Sequence, residues 1–159
     1  MPDPSDHLPE ADAAAPGVLR LHVTSDTANL ARVRKAAEAY AASAGFDEAG
    51  VAEVGLVVNE AMANVIRHAY HNEPGRPIEF EAEQVPDPHE DDAHRRSLAL
   101  RLRIRDWGTG ADPATKPIKG YVPGEPGGLG LVCLAAMMDD VRYTRLPNGM
   151  LLTMTKRKK

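Results

Sequence analysis

Apolar and polar residues alternate over Val18-Leu-Arg-Leu-His-Val-Thr24, the two-residue period of a half-buried β-strand. The period then lengthens. Ser25 or Asp26 is placed to cap a helix running to about Ser43, with Gly45 as its stop. A second helix is predicted from a cap at Asp47 to about His71, with Val51, Val54, Val58, Met62, Val65 and Ile66 at spacings that bury most of it; Asn72 and Pro74-Gly75 mark its end. Two alternating runs follow. In Pro77 to Glu83 the glutamates 79, 81 and 83 share one face; in Leu98 to Arg105 the arginines 101, 103 and 105 share one, opposite Leu98, Leu100, Leu102 and Ile104. Paired antiparallel, the two charged rows would meet as opposite charges on a solvated sheet face. A third helix, about Leu129 to Met138, precedes a strand at Asp140 to Thr144, the hairpin signal Pro147-Asn148-Gly149, and a last strand from Met150 to Thr155. Strand, helix, helix, strand, strand, helix, strand, strand, with the helices gathered on one face, describes an α+β two-layer sandwich with a mixed, mainly antiparallel sheet.

Three stretches break the pattern. Residues 1–17 hold four prolines among acids and alanines and read as a flexible tail, which leaves 18–156 as one domain. Gln84 to Ser97 is a Pro-bounded acidic insertion in which His89, Glu90, Asp91, Asp92 and His94 carry metal-ligand chemistry without anything to fix its geometry. Asp106 to Gly128 is Gly- and Pro-rich and too long for an ordinary connection, as lids and binding loops are.

Composition narrows the function classes. The chain has 159 residues and a net charge of -4, so no general polyanion-binding surface is implied and direct nucleic-acid binding is not expected. One cysteine, Cys133, among apolar neighbours, excludes an internal disulfide and reads as a small core residue in a reducing compartment. The start carries no basic and apolar signal-peptide pattern, and no apolar run approaches the roughly 18 residues that span a bilayer, so the expectation is a cytoplasmic protein without a membrane partner.

The chemistry concentrates in three motifs. Glu60-Ala-Met-Ala-Asn64 sets an acid and a carboxamide four residues apart, on one face of the second helix. Asp106-Trp-Gly108-Thr-Gly110 delivers a carboxylate at a strand end, followed by glycines that admit a ligand close to the backbone. An ionised carboxylate only accepts hydrogen bonds, which suits a ligand edge with an amino donor such as adenine N6. Gly127-Gly128-Leu129-Gly130-Leu131 opens a helix, where free N–H groups and the helix dipole favour phosphate oxygens. Neither a G-x-x-x-x-G-K-[ST] nor a G-x-G-x-x-G after a strand is present, so P-loop and Rossmann readings fail.

In this order the motifs resemble the N, G1 and G2 boxes of the Bergerat-fold (GHKL, histidine-kinase-like) ATPases. Glu60-Ala-x-x-Asn64-x-x-x-His68-Ala-Tyr70 and Met138-Asp-Asp-Val141 are similar to those of the bacterial anti-sigma factor serine/threonine kinases, and the resemblance covers about residues 18–156. It implies ATP and Mg²⁺ as cofactors: Asn64 giving its amide oxygen to the metal, Glu60 accepting the proton of the attacking hydroxyl, Asp106 binding adenine with Gly108 and Gly110 shaping the pocket, and Gly128, Leu129 and Gly130 meeting the phosphates. It implies a kinase that binds a sigma factor and phosphorylates an anti-anti-sigma antagonist protein, and a homodimer. His68 and Tyr70 match the pattern without a chemical step; His68 reads as a packed, hydrogen-bonded histidine. Where the family often carries a basic lid residue this chain has Gly124-Glu125-Pro126, with Lys116 and Lys119 nearby, and where it often has Thr after the last-strand glycine this chain has Met150. The altered lid motivates the alternative of a non-catalytic, ATP-gated protein-binding regulator of transcription.

Overall fold

The computed structural model describes residues 17–88, 90, 97–109, 134 and 136–158. The expected tail apart from Gly17, half of the acidic insertion including both of its histidines, Cys133, and the loop from Gly110 through the glycines that precede the third helix lie outside them. Five strands form one sheet: β1 (Leu19–Thr24), β2 (Pro77–Pro86), β3 (Leu98–Asp106), β4 (Asp140–Leu146) and β5 (Gly149–Arg157), in the order β1-β2-β3-β5-β4. Every pairing is antiparallel, so the expected mixed character reduces to an all-antiparallel sheet among the described residues.

Two helices, α1 (Ala28–Ser43) and α2 (Glu48–Asn64), join β1 to β2. Asp47 caps α2 as its sequence predicts, accepting from the Gly50 N–H at 2.7 Å. The α1 cap differs from expectation: Thr27 occupies it without a side-chain bond. Ser25 is used elsewhere, its hydroxyl donating to Glu73 O at 2.6 Å and accepting from the Arg76 N–H at 2.9 Å. Leu134, Ala136 and Met137 are helical, within the third helix expected there.

The core lies between helices and sheet. Val33 and Ala37 of α1 and Val58 and Met62 of α2 meet Phe80, Leu102 and Met154 from the sheet, all fully buried. Burying an aliphatic or phenyl side chain of this size contributes about 1.5–3 kcal/mol. Glu48–Ala69 is one continuous helical stretch that contains an 18-residue window with a mean hydropathy of 1.3, long and apolar enough to cross a membrane by length and composition, contrary to the sequence expectation. Half of that window is buried inside the fold, which accounts for its apolar character.

The charged rows pair in the expected register, Glu79 with Arg105, Glu81 with Arg103 and Glu83 with Arg101. Three of these six residues are not solvated. Glu79 and Glu81 are 2% and 1% exposed and Arg105 is 1% exposed. Long arginine stems lie along the sheet and cover the carboxylates of the neighbouring strand. Glu81 accepts from Arg20 of β1 at 2.5 Å and from Arg103 Nε of β3 at 2.9 Å, so one carboxylate ties three strands together. On the opposite, helix-facing side Lys156 reaches from β5 to Glu53 of α2 and to Met137 O at 2.8 Å, joining the sheet to both of those helices.

Candidate functional site

Glu60 and Asn64 lie one turn apart on α2, both half-buried. Among the described residues Glu60 makes no side-chain hydrogen bond or ion pair. Asn64 is engaged: its Oδ1 accepts from Arg67 Nη2 at 2.9 Å. Immediately after Asn64 the helix changes from α to π geometry over Val65–Ala69, with the Tyr70 N–H bonded to Val65 O at 3.0 Å. Single π turns inside α-helices recur at functional sites. The wider turn alters the face each residue presents, and His68 stands exposed, which corrects the packed histidine expected from the sequence. The chain then turns through two non-glycine residues with positive φ, His71 at 49° and Asn72 at 64°, into β2.

Asp106 ends β3 in the same alternating row as Leu100, Leu102 and Ile104, so its side chain points to the helix layer. It is 5% exposed. Oδ1 accepts from the Gly108 N–H at 2.9 Å, and the Met150 N–H also bonds the carboxylate. Burial pushes the Asp106 carboxyl up from its usual range, while the Gly108 N–H, the Arg105 charge and the Met150 N–H partly oppose that rise.

The end of the site helix packs directly on this turn. A Cβ at Gly108 would fall 2.4 Å from Ala69 O, so only glycine permits the approach. Tyr70, 2% exposed, places its hydroxyl between Pro77 O, to which it donates at 2.5 Å, and the Trp107 N–H, from which it accepts at 2.8 Å. Burial pushes the Tyr70 hydroxyl up to about 12, so it keeps its proton throughout the neutral range. Gly149 closes the far side: its φ is +143°, and a Cβ there would lie 2.0 Å from Asp106 O. Gly149→Ala is expected to destabilise the fold by about 1–3 kcal/mol through backbone strain, read as a lowered urea midpoint at unchanged m-value.

The structure thus brings Glu60, Asn64, Asp106 and Gly108 onto two elements that touch through Ala69 and Tyr70. Gly110, Gly128, Leu129 and Gly130 lie outside the described residues. No cluster of three His, Cys, Asp or Glu side chains able to hold a metal occurs among the described residues.

A model of the histidine kinase-like ATPase domain matches residues 23–156. The chain is 31% identical over 124 residues to the serine-protein kinase RsbW of Listeria innocua, covering 73% of this chain and 71% of that protein. It is 32% identical over 109 residues to the anti-sigma F factor of Oceanobacillus iheyensis, covering 65% and 67%. The chain belongs to the histidine kinase-like ATPase family, on the branch of these anti-sigma kinases. Its fold also matches the crystal structure of the RsbU and RsbW domains of a Mycobacterium tuberculosis protein, with a TM-score of 0.57 at 18% identity over 87% of this chain and 32% of that longer one.

An ATPase domain of this family implies use of ATP. Against that background, sequence reasoning missed two features of the site. One is the Arg67 bond to Asn64, for which a basic residue three positions along a helix was a weak cue. The other is the Tyr70 link to the Asp106 turn, which the matching His-Ala-Tyr motif signalled without revealing its purpose.

Proposed function

We propose that this protein is an ATP-dependent serine/threonine protein kinase that acts as an anti-sigma factor, binding a sigma factor and phosphorylating a hydroxyl of an anti-anti-sigma antagonist. The observation that carries the reading is the division of labour on α2: Glu60 is free of partners among the described residues, while Asn64, one turn on, is held by Arg67. A free, half-buried carboxylate is available to accept the proton of an incoming hydroxyl. In phosphoryl transfer the protein's work is positioning and charge stabilisation, so a base and a metal-binding oxygen on one rigid helix face fit the task.

The donor set also fits Mg²⁺. Magnesium takes one or two protein oxygens and completes its shell from phosphates and water. Asn64 would hold it through Oδ1, which has a second lone pair besides the one facing Arg67. When bound, the metal neutralises phosphate charge. Asp106, with N–H donors from Gly108 and Met150 already on its carboxylate, would accept from the exocyclic amine of adenine. Gly108 and Gly110 would line the base pocket, and Gly128, Leu129 and Gly130 the phosphates. Residues 18–156 would form the kinase domain of a cytoplasmic homodimer.

Incubation with Mg-ATP and a candidate antagonist should label a serine or threonine of the antagonist; tightly bound ATP without any labelling would sink the enzymatic reading. The burial-raised carboxyl of Asp106 adds a pH signature. Binding of the adenine amine needs the ionised carboxylate, so acidification removes the acceptor, and a raised pKa moves that loss to higher pH than an ordinary aspartate would give. ATP affinity, measured by calorimetry, is expected to fall as pH drops through that raised value and to be flat above it.

A further inference from the structure

We infer that Tyr70 is a positioning residue for base selection, its buried hydroxyl fixing the turn that presents Asp106 to the purine. This rests on the reading of Asp106 as the adenine acceptor. The two peptide units after Asp106 have four polar groups, and each is held. Asp106 O accepts from Arg105 Nη1, and the Trp107 N–H donates to Tyr70. Trp107 O accepts from Arg76 Nη2 at 3.4 Å, and the Gly108 N–H closes onto Asp106 Oδ1 at 2.9 Å. Of these four holds, only Tyr70 directly follows the helical segment that carries Glu60 and Asn64, as its C-cap.

The direction of the Tyr70 bonds is unambiguous. Pro77 O can only accept and the Trp107 N–H can only donate, so the hydroxyl donates to the first and accepts from the second. The Arg76 guanidinium stacks 4.8 Å from the Tyr70 ring centroid and so fixes the ring that fixes the turn. Loss of the hydroxyl takes the Tyr70 hold off the peptide between Asp106 and Trp107 while that of Arg105 Nη1 on Asp106 O remains, so the peptide can tilt about its held end. The Asp106 carboxylate accepts from the N–H of the following peptide, which shares the Trp107 Cα, so a tilt of the first peptide is passed to it through Trp107. Geometry at the amine-accepting oxygen, rather than affinity for phosphates, is therefore what Tyr70 controls.

The test is Tyr70→Phe in the full chain, with ATP and ITP binding measured by calorimetry; the hypoxanthine of ITP lacks the exocyclic amine. ATP affinity is expected to fall about tenfold with ITP affinity changed less than twofold. Arg76→Met, which removes the ring contact and the Trp107 O bond, should move the preference in the same direction by about threefold and serves if Tyr70→Phe fails to fold. Equal losses for both nucleotides, or no loss for either, would overturn the inference. Asp106→Asn separates the two levels: if it changes the ATP-to-ITP preference and Tyr70→Phe does not, the inference fails alone, whereas a wild-type protein without any preference for ATP removes the adenine reading itself. Trp107, the single tryptophan of the chain, adds a spectroscopic check, since its emission should change in Tyr70→Phe before any nucleotide is added.

Discussion

Glu60→Gln is expected to abolish transfer of radiolabel from Mg-ATP to the antagonist while leaving ATP affinity within twofold of wild type. The substitution is nearly isosteric, and Glu60 has no hydrogen-bond or ion-pair partner among the described residues to lose, so α2 should fold unchanged. What disappears is a proton acceptor. A positioned general base contributes about 10²- to 10⁴-fold to rate, so the labelling rate should fall at least about a hundredfold. Retained labelling would place the base elsewhere. The same variant separates the two readings of the chain: control of partner binding by ATP that survives Glu60→Gln, in a protein that never labels its antagonist, describes a nucleotide-gated binder and not a kinase.

Asp106→Asn should strike the other end of the site. The carboxylate has two acceptor oxygens and already takes N–H donors from Gly108 and Met150. A carboxamide has one oxygen and one NH₂. If the oxygen satisfies the Gly108 N–H, the NH₂ faces the adenine amine, and a donor meets a donor. Hydrogen bonds to charged groups are worth about 1.5–3 kcal/mol, which corresponds to roughly a ten- to hundredfold loss of ATP affinity. ITP, whose base carries a carbonyl at that position, should lose far less. Binding of both nucleotides at wild-type strength would show that Asp106 does not touch the base.

Much of the framework could be read before any coordinates. The Asp47 cap, the alternating runs of β1, β2 and β3, and the Pro-Asn-Gly hairpin follow from local rules, and the structure places each there, with β2 running three residues past its expected end, to Pro86. Glu60 and Asn64 were legible because a four-residue spacing on a helix has one geometric meaning. The π turn after Asn64 was not, because a shift from i→i+4 to i→i+5 bonding is decided by how the helix end docks on Gly108 and Trp107. For the same reason the exposure of His68 was hidden. Alternation identified the face on which Glu79, Glu81 and Arg105 lie but not its depth, since arginine stems from β1 and β3 cover carboxylates that a single strand would leave in water. The N-cap of α1 failed for a different reason: Ser25 had a competing partner fifty residues away, at Glu73 and Arg76.

The cross-strand register of those buried charges constrains how the sequence can drift. Removing one member of a buried ion pair costs about 3–5 kcal/mol because its partner remains charged and dry, while exchanging both members keeps the pair. Glu81, shared between Arg20 and Arg103, is therefore expected to change among descendants of this chain together with both arginines, the rung reversed or replaced as a whole. Lineages carrying half of such a change should be rare, and the rear of the sheet would keep a record of paired substitutions that the solvent-exposed helix surfaces do not.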